Sequence, residues 1–178
     1  FQNGYTDSSG GALRADAGSS VSITNCTFRN SSAWYCGGAL IYSSPAALYN
    51  CRFENNSAER NAGGLFIAYS DNAVLSDCTF TGNSAGWSAG GLALEAVDVG
   101  FISNCIIEGN NADEYGGGIR LWSMSSVIEF DNCTIKENSA DIDGGGIDCQ
   151  PFNIEYTLYN STVCGNTPSQ LTGNMIDG

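Results

Sequence analysis

One phrase of sixteen residues recurs along this chain. It reads NCTFRNSSAWYCGGAL from Asn25, NCRFENNSAERNAGGL from Asn50, DCTFTGNSAGWSAGGL from Asp77, NCIIEGNNADEYGGGI from Asn104 and NCTIKENSADIDGGGI from Asn132. A degenerate copy, NSTVCGNTPSQLTGNMI, begins at Asn160. Aligned on the aliphatic residue behind each glycine run, the copies give Leu13, Leu40, Leu65, Leu92, Ile119, Ile147 and Ile176, at spacings of 25 to 29 residues. A second anchor, Phe28, Phe53, Phe80, Ile107, Ile135 and Val163, lies 12 residues before the next glycine anchor, or 13 in the last copy. The other half of the period varies from 13 to 16 residues. One side of the repeat is therefore fixed, and the other accepts insertions, at Ser43-Ser44-Pro45 and Ser123-Met124-Ser125-Ser126.

A constant period of this size marks a solenoid or a propeller. Helical repeats are excluded, because Gly, Asn, Ser and Thr fill the units and no stretch carries a 3.6-residue apolar period. The apolar pattern has period two: Leu65 and Ile67 alternate with Phe66 and Ala68. A propeller blade takes roughly 40 residues. A unit of this length instead suits one coil of a parallel β-helix, with about three short strands per coil and coils stacked ~4.8 Å apart. The expected fold is one all-β domain of about six to seven coils spanning residues 1–178.

Stacking turns each repeat position into a row. Asn25, Asn50, Asp77, Asn104, Asn132 and Asn160 form one row at a strand-to-strand turn, where Asn tolerates left-handed backbone and stacked amides pair. This row is expected to be the inward asparagine ladder. Cys26, Cys51, Cys78, Cys105 and Cys133 share the parity of the inward Phe row, so packed thiols with at most one or two bridges are expected. Cys36 and Cys164 are expected to point outward. Gly11, Gly38, Gly63, Gly90, Gly117 and Gly145 mark a bend too tight for a side chain.

The pairing of FxxN with GGA[ILV] resembles the repeats of chlamydial polymorphic outer-membrane proteins. FxxN stands at Phe53–Asn56 and Phe80–Asn83, with Ile at Ile107–Asn110 and Ile135–Asn138; GGAL stands at Gly10–Leu13 and Gly37–Leu40. The resemblance implies a right-handed β-helix of the kind found in secreted autotransporter adhesins. It implies an extracellular, non-enzymatic stalk, surface fibre or adhesin segment whose partners are neighbouring coils, glycans or cell-surface proteins.

Composition narrows the function further. Nineteen acidic residues against six basic ones give a net charge of −13, which repels nucleic acid and anionic membranes. No apolar run reaches membrane-spanning length. The absence of His removes the commonest general base and metal ligand. Pectate-lyase-like enzymes carry their carboxylates and bases on the outside of a β-helix strand. The corresponding outward rows are Arg14, Ile41, Phe66, Ala93, Arg120, Asp148 and Asp16, Ser43, Ala68, Glu95, Trp122, Gln150. Glu95, Arg120, Trp122 and Asp148 are the candidate carbohydrate contacts, and a glycosidase needs two carboxylates facing one bond. Asp113, Glu114, Asp141 and Asp143 on neighbouring turns are candidate calcium ligands; no other cofactor is expected. Trp34, Tyr35, Trp87 and Tyr115 share that turn, either as a contact ridge or packed over the glycines.

Five sequons occur, of which Asn30 and Asn55 are the expected glycan acceptors in a eukaryotic source. Asn25, Asn132 and Asn160 are expected to stay bare. The sequence begins at a Phe anchor and stops two residues past Ile176 without a polar cap. A segment of a longer β-helix, or a subunit that stacks end to end, is therefore expected.

Overall fold

The computed structural model describes residues 1–18, 20–122, 127–149 and 154–177, and it contains strands and no helix among them. The chain winds as a right-handed parallel solenoid of about six coils with four parallel sheets. One coil shows the plan: Leu65–Ser70, Ala73–Ser76, Thr79–Thr81 and Ser84–Ala85, after which Leu92–Val97 lies in register on Leu65–Ser70. The coil thus has four strands and not three. The fourth is a two-residue Ser-Ala element (Ser32–Ala33, Ser57–Ala58, Ser84–Ala85, Ser139–Ala140), too short for alternation to reveal.

Alternation fills the interior. Leu65, Ile67, Leu75, Cys78 and Phe80 of this coil are fully or almost fully buried in one continuous core. The Phe row is a ring stack, with Phe1, Phe28, Phe53 and Phe80 each 4.9 Å from the next and nearly parallel. Aromatic pairs of this kind contribute about 0.5–1.5 kcal/mol beyond their burial. Two expected row members differ. Ala39, not Leu40, fills the inner row between Leu13 and Leu65, so the bend glycine of that coil is Gly37 rather than Gly38. This coil is one residue short between Phe28 and the anchor, and a one-residue shift swaps faces: Ile41 is inside and Leu40 outside. Ile176 belongs to a different sheet, opposite Thr157, and the row beyond Ile147 continues at Leu171. Ser43–Pro45 does form a corner between strands, Ala39–Tyr42 and Ala46–Tyr49. Ser123–Ser126 lies outside the described residues.

The asparagine rows also trade places. Asn25, Asn50, Asp77, Asn104, Asn132 and Asn160 do adopt left-handed backbone, with φ of 49–56°. They are exposed, however, and pair only locally: Asn50 Nδ2 donates to Asn25 Oδ1, and Asn132 Nδ2 to Asn104 Oδ1, both at 2.7 Å. Burial therefore gives no reason for Asn25, Asn132 and Asn160 to be shielded from glycan. The inward ladder is the Asn of FxxN: Asn56, Asn83, Asn110, Asn138 and Asn166, all buried. Asn110 shows the pattern. Its Nδ2 donates to Phe80 O (3.0 Å) and Asn138 Oδ1 (2.9 Å), while its Oδ1 accepts from the backbone N and Nδ2 of Asn83, both at 2.9 Å. All four hydrogen-bonding positions of the amide are used. Gln170 ends the series, its Oε1 accepting from Asn166 Nδ2 at 2.9 Å and its Nε2 donating to Asn166 O at 3.0 Å.

The glycine pair makes room for this ladder. A Cβ on Gly118 would stand 2.9 Å from Asn138 Nδ2, and one on Gly117 would stand 2.1 Å from Ser139 O. Close approach is the reason for glycine at these two positions. FxxN and GG are therefore two sides of one contact.

All eight cysteines are free thiols. In-register parallel rungs hold equivalent Cβ atoms at ~4.8 Å, wider than the ~3.8 Å mean of a disulfide. Each buried thiol of the row donates instead to the carbonyl two residues back, as Cys105 Sγ does to Ser103 O at 3.2 Å. Ser161 takes the same place in the following coil and donates to Tyr159 O at 2.7 Å. Cys36 is fully buried, contrary to its expected outward exposure, and burial pushes its thiol pKa up to about 12. Cys164 is exposed as expected.

The two asparagine rows give opposite mutational outcomes. Asn110→Ala strands buried partners on Asn83, Phe80 and Asn138, at about 1–3 kcal/mol for each unmet group. It should cost about 3–5 kcal/mol in chemical denaturation. Asn104→Gly, which removes an exposed amide at a left-handed position, should cost less than about 1 kcal/mol.

Candidate functional site

The sheet behind the glycines is apolar on its inner face and, over its middle coils, on its outer face as well. Its inner face joins the core; its outer face carries Leu40, Phe66, Ala68 and Ala93, all buried, in a second cluster with Cys36, Ala62 and Ala89. Tyr35 and Trp122 lie against this cluster, with ring centroids 5.5 and 5.4 Å from Phe66. Beside it runs an open groove of about 380 Å³ lined by Ser9, Arg14, Tyr35, Leu40, Tyr42, Phe66, Ala68, Tyr69 and Glu95.

Two tyrosines and one acid define the groove. Tyr42 and Tyr69 sit 5.3 Å apart at an interplanar angle of 56°. Tyr69 Oη donates to Glu95 Oε1 at 3.2 Å. The negative charge of Glu95 is the first cause that raises the Tyr69 hydroxyl pKa, and the hydrogen bond to Glu95 is the second. Tyr69 occupies a corner with φ of 53°, shared with Ser43 (52°) and Ala96 (48°). A bulky residue held there costs on the order of 1–3 kcal/mol, where Gly or Asn would cost less. Arg14 is already occupied, its Nε 2.9 Å from Asp16 Oδ2.

The four expected carbohydrate contacts divide into two pairs. Glu95 and Trp122 are cross-strand partners on this face. Arg120 and Asp148 are also partners, but Asp148 is fully buried and out of reach of a ligand. Asp148 Oδ1 accepts from Thr172 Oγ1 at 2.8 Å, while Oδ2 has Arg120 Nε at 3.4 Å, too poorly aligned for a hydrogen bond. Burial raises the Asp148 pKa, opposed by the charge of Arg120. Arg120 itself donates to Ser88 Oγ at 2.7 Å and lies over the Tyr115 and Trp122 rings, at 4.8 and 5.5 Å. This pair fastens the wall, and Glu95 is left as the carboxylate lining the groove. Gln150 lies outside the described residues.

The remaining candidates lie elsewhere. Asp113 and Asp141 are exposed, and Asp143 accepts from Gly144 N at 2.8 Å and Ser169 Oγ at 2.5 Å. Among the described residues no three His, Cys, Asp or Glu side chains are grouped to hold a metal, and Asp113, Glu114, Asp141 and Asp143 are not brought together as such a group. The turn aromatics split between both expectations. Trp34 and Trp87 are exposed and enclose the Arg60 guanidinium at 5.7 and 3.6 Å, whereas Tyr35 and Tyr115 pack inward. Asn30 and Asn55 are exposed at left-handed turns.

Tyr42 and Tyr69 were missed by the sequence reading. The one-residue shift in the second coil put Ile41 and Ser43 in the outward rows, where the structure has Leu40 and Tyr42. Counting that coil from Gly37, as the GGAL motif allows, would have recovered Tyr42. No periodic signal marks Tyr69, because it stands at a corner.

Because the folded pKa of Asp148 lies above its unfolded value, its protonated form suits the fold better. That contribution is complete below the ordinary carboxylate pKa and is lost as pH rises through the raised one. Wild type should therefore gain stability relative to Asp148→Asn as pH falls from 7 towards 4, as read from denaturant midpoints at each pH.

The right-handed repeat, its four parallel sheets and its glycine bends agree with the one family comparison that matched. Neither the curated proteins nor the solved structures searched gave a match. The model described as "Right handed beta helix region" matches residues 10–176, and the chain belongs to that right-handed β-helix family.

Proposed function

We propose that this chain works outside the cell as a non-enzymatic, adhesive β-helix: a stacked scaffold that holds an aromatic groove towards a surface ligand. The observation that carries this reading is the groove beside Tyr42, Tyr69 and Glu95, which among the described residues is lined by a single carboxylate. A glycosidase needs a second acid across the bond; Asp148, the nearest candidate in sequence pattern, is buried behind Arg120. Free cysteines outside the cell need shielding from oxidants, and six of the eight thiols are buried. Further coils of β-helix are the proposed structural partners, since the edge strands Val21–Thr24 and Thr162–Cys164 offer unpaired backbone on their outer sides.

The second reading, a polysaccharide-acting β-helix of the pectate-lyase-like class, draws on the same groove. It is favoured by the combination of ring faces and an acid beside them. Incubation with a polysaccharide panel, with and without calcium, separates the two. The scaffold reading predicts retention of a ligand with no new reducing ends and no unsaturated products. Turnover that disappears in Glu95→Gln would overturn it in favour of the enzyme.

A further inference from the structure

The chemistry of the groove points to one kind of ligand, resting on the proposed role of this groove as the binding site. Three observations converge there. The lining rings Tyr35, Tyr42, Phe66 and Tyr69 come from successive coils and stand at differing tilts, 30° between Tyr35 and Phe66 and 56° between Tyr42 and Tyr69. Phe66 is buried beneath Tyr35 and Trp122, so the faces offered to a ligand are those of the exposed Tyr42 and Tyr69, tilted to approach it from two sides, whereas a sugar platform presents one flat face. The charge of the groove is net negative, because Arg14 is held by Asp16 and, among the described residues, Glu95 has the Tyr69 hydroxyl and no cation as its hydrogen-bond partner. Finally, Tyr69 is kept at a corner with φ of 53°, a conformation that Asn or Gly adopts more readily. Backbone strain of this kind collects at functional positions.

From this geometry we infer that the groove binds an organic ammonium group, of the trimethylammonium or N-alkylated amine class, with its cation against Tyr42 and Tyr69 and its charge balanced by Glu95. Ring faces attract a desolvated cation within about 6 Å of their centroids, and a quaternary ammonium gives up water more easily than a primary one. The cavity of about 380 Å³ has room for such a group and a chain attached to it. An overall charge of −13 would draw the cation in before it reaches the groove.

The test uses choline chloride and its uncharged isostere 3,3-dimethylbutan-1-ol, titrated into isotopically labelled protein and followed by chemical shifts. Choline should bind with a dissociation constant on the order of 1 mM or tighter, and the isostere at least tenfold more weakly. Glu95→Gln should weaken choline at least tenfold while leaving the isostere unchanged. Glu129→Gln, a charge removed from another exposed face, should leave choline binding unchanged. Tyr69→Asn should fold with an undiminished thermal midpoint and still lose choline at least tenfold. Equal binding of choline and isostere would overturn the inference, as would insensitivity to Glu95→Gln or equal loss in Glu129→Gln. Binding of a neutral oligosaccharide with choline silent would overturn it too and leave the scaffold reading standing; binding of neither class would count against both.

Discussion

The buried amide ladder is the contact on which the rest of this fold depends. A side-chain amide in an apolar interior is costly unless its donors and acceptor sites are all matched. From Asn83 to Asn138 they are, and only when successive coils stand at one height and one phase. Shifting the coil of Asn83 by one residue would put Gly82 or Ser84 in place of the amide and leave its neighbours unmet. The ladder therefore specifies register as well as contributing stability, and coupled amide dipoles along a chain reinforce one another. Its ends are fitted with different residues. Ser31 precedes Asn56, its hydroxyl accepting from Gly4 N at 3.1 Å, and Gln170 reaches back over Asn166.

Other features follow from that constraint. The glycines of the GG pair are small because the amide occupies the space beside them. The Phe rings stack at one spacing because the ladder one turn away fixes the rise. A wall held in this way leaves its outer face free to vary from coil to coil. That face carries Leu40, then Phe66, Ala93, Arg120 and the buried Asp148 in one row, a sequence of unlike residues that no repeat requires. The groove with Tyr42, Tyr69 and Glu95 lies on this varying face, so the site is a property of individual coils on a shared frame.

Much of the frame was readable from the chain. The period, the Phe row, the inward cysteines and the left-handed Asn turn all came from counting and parity. The error over the two asparagine rows had a physical source. Both rows are nearly invariant, and the exposed one satisfies the turn rule, while burial of the other depends on the GG pair of another part of the coil. FxxN was visible at Phe53–Asn56 and Phe80–Asn83, but its meaning needed the tertiary contact. The site was less legible. Parity identified Phe66, Ala68 and Glu95 as outward, yet one missing residue before Ala39 turned the second coil over and hid Tyr42. Asp148 was assigned to the correct face, but its burial depends on Thr172 and Arg120 closing over it.

Hydrogen exchange of the asparagine side-chain amides reports on the ladder directly. In a folded, isotopically labelled sample, the Nδ2 protons of Asn83, Asn110 and Asn138 should exchange only through global unfolding, with protection that falls as denaturant is added. Those of Asn50 and Asn132, on the exposed row, should exchange orders of magnitude faster and independently of denaturant. Equal exchange in the two rows would contradict the claim that the buried amides hold the coils in register.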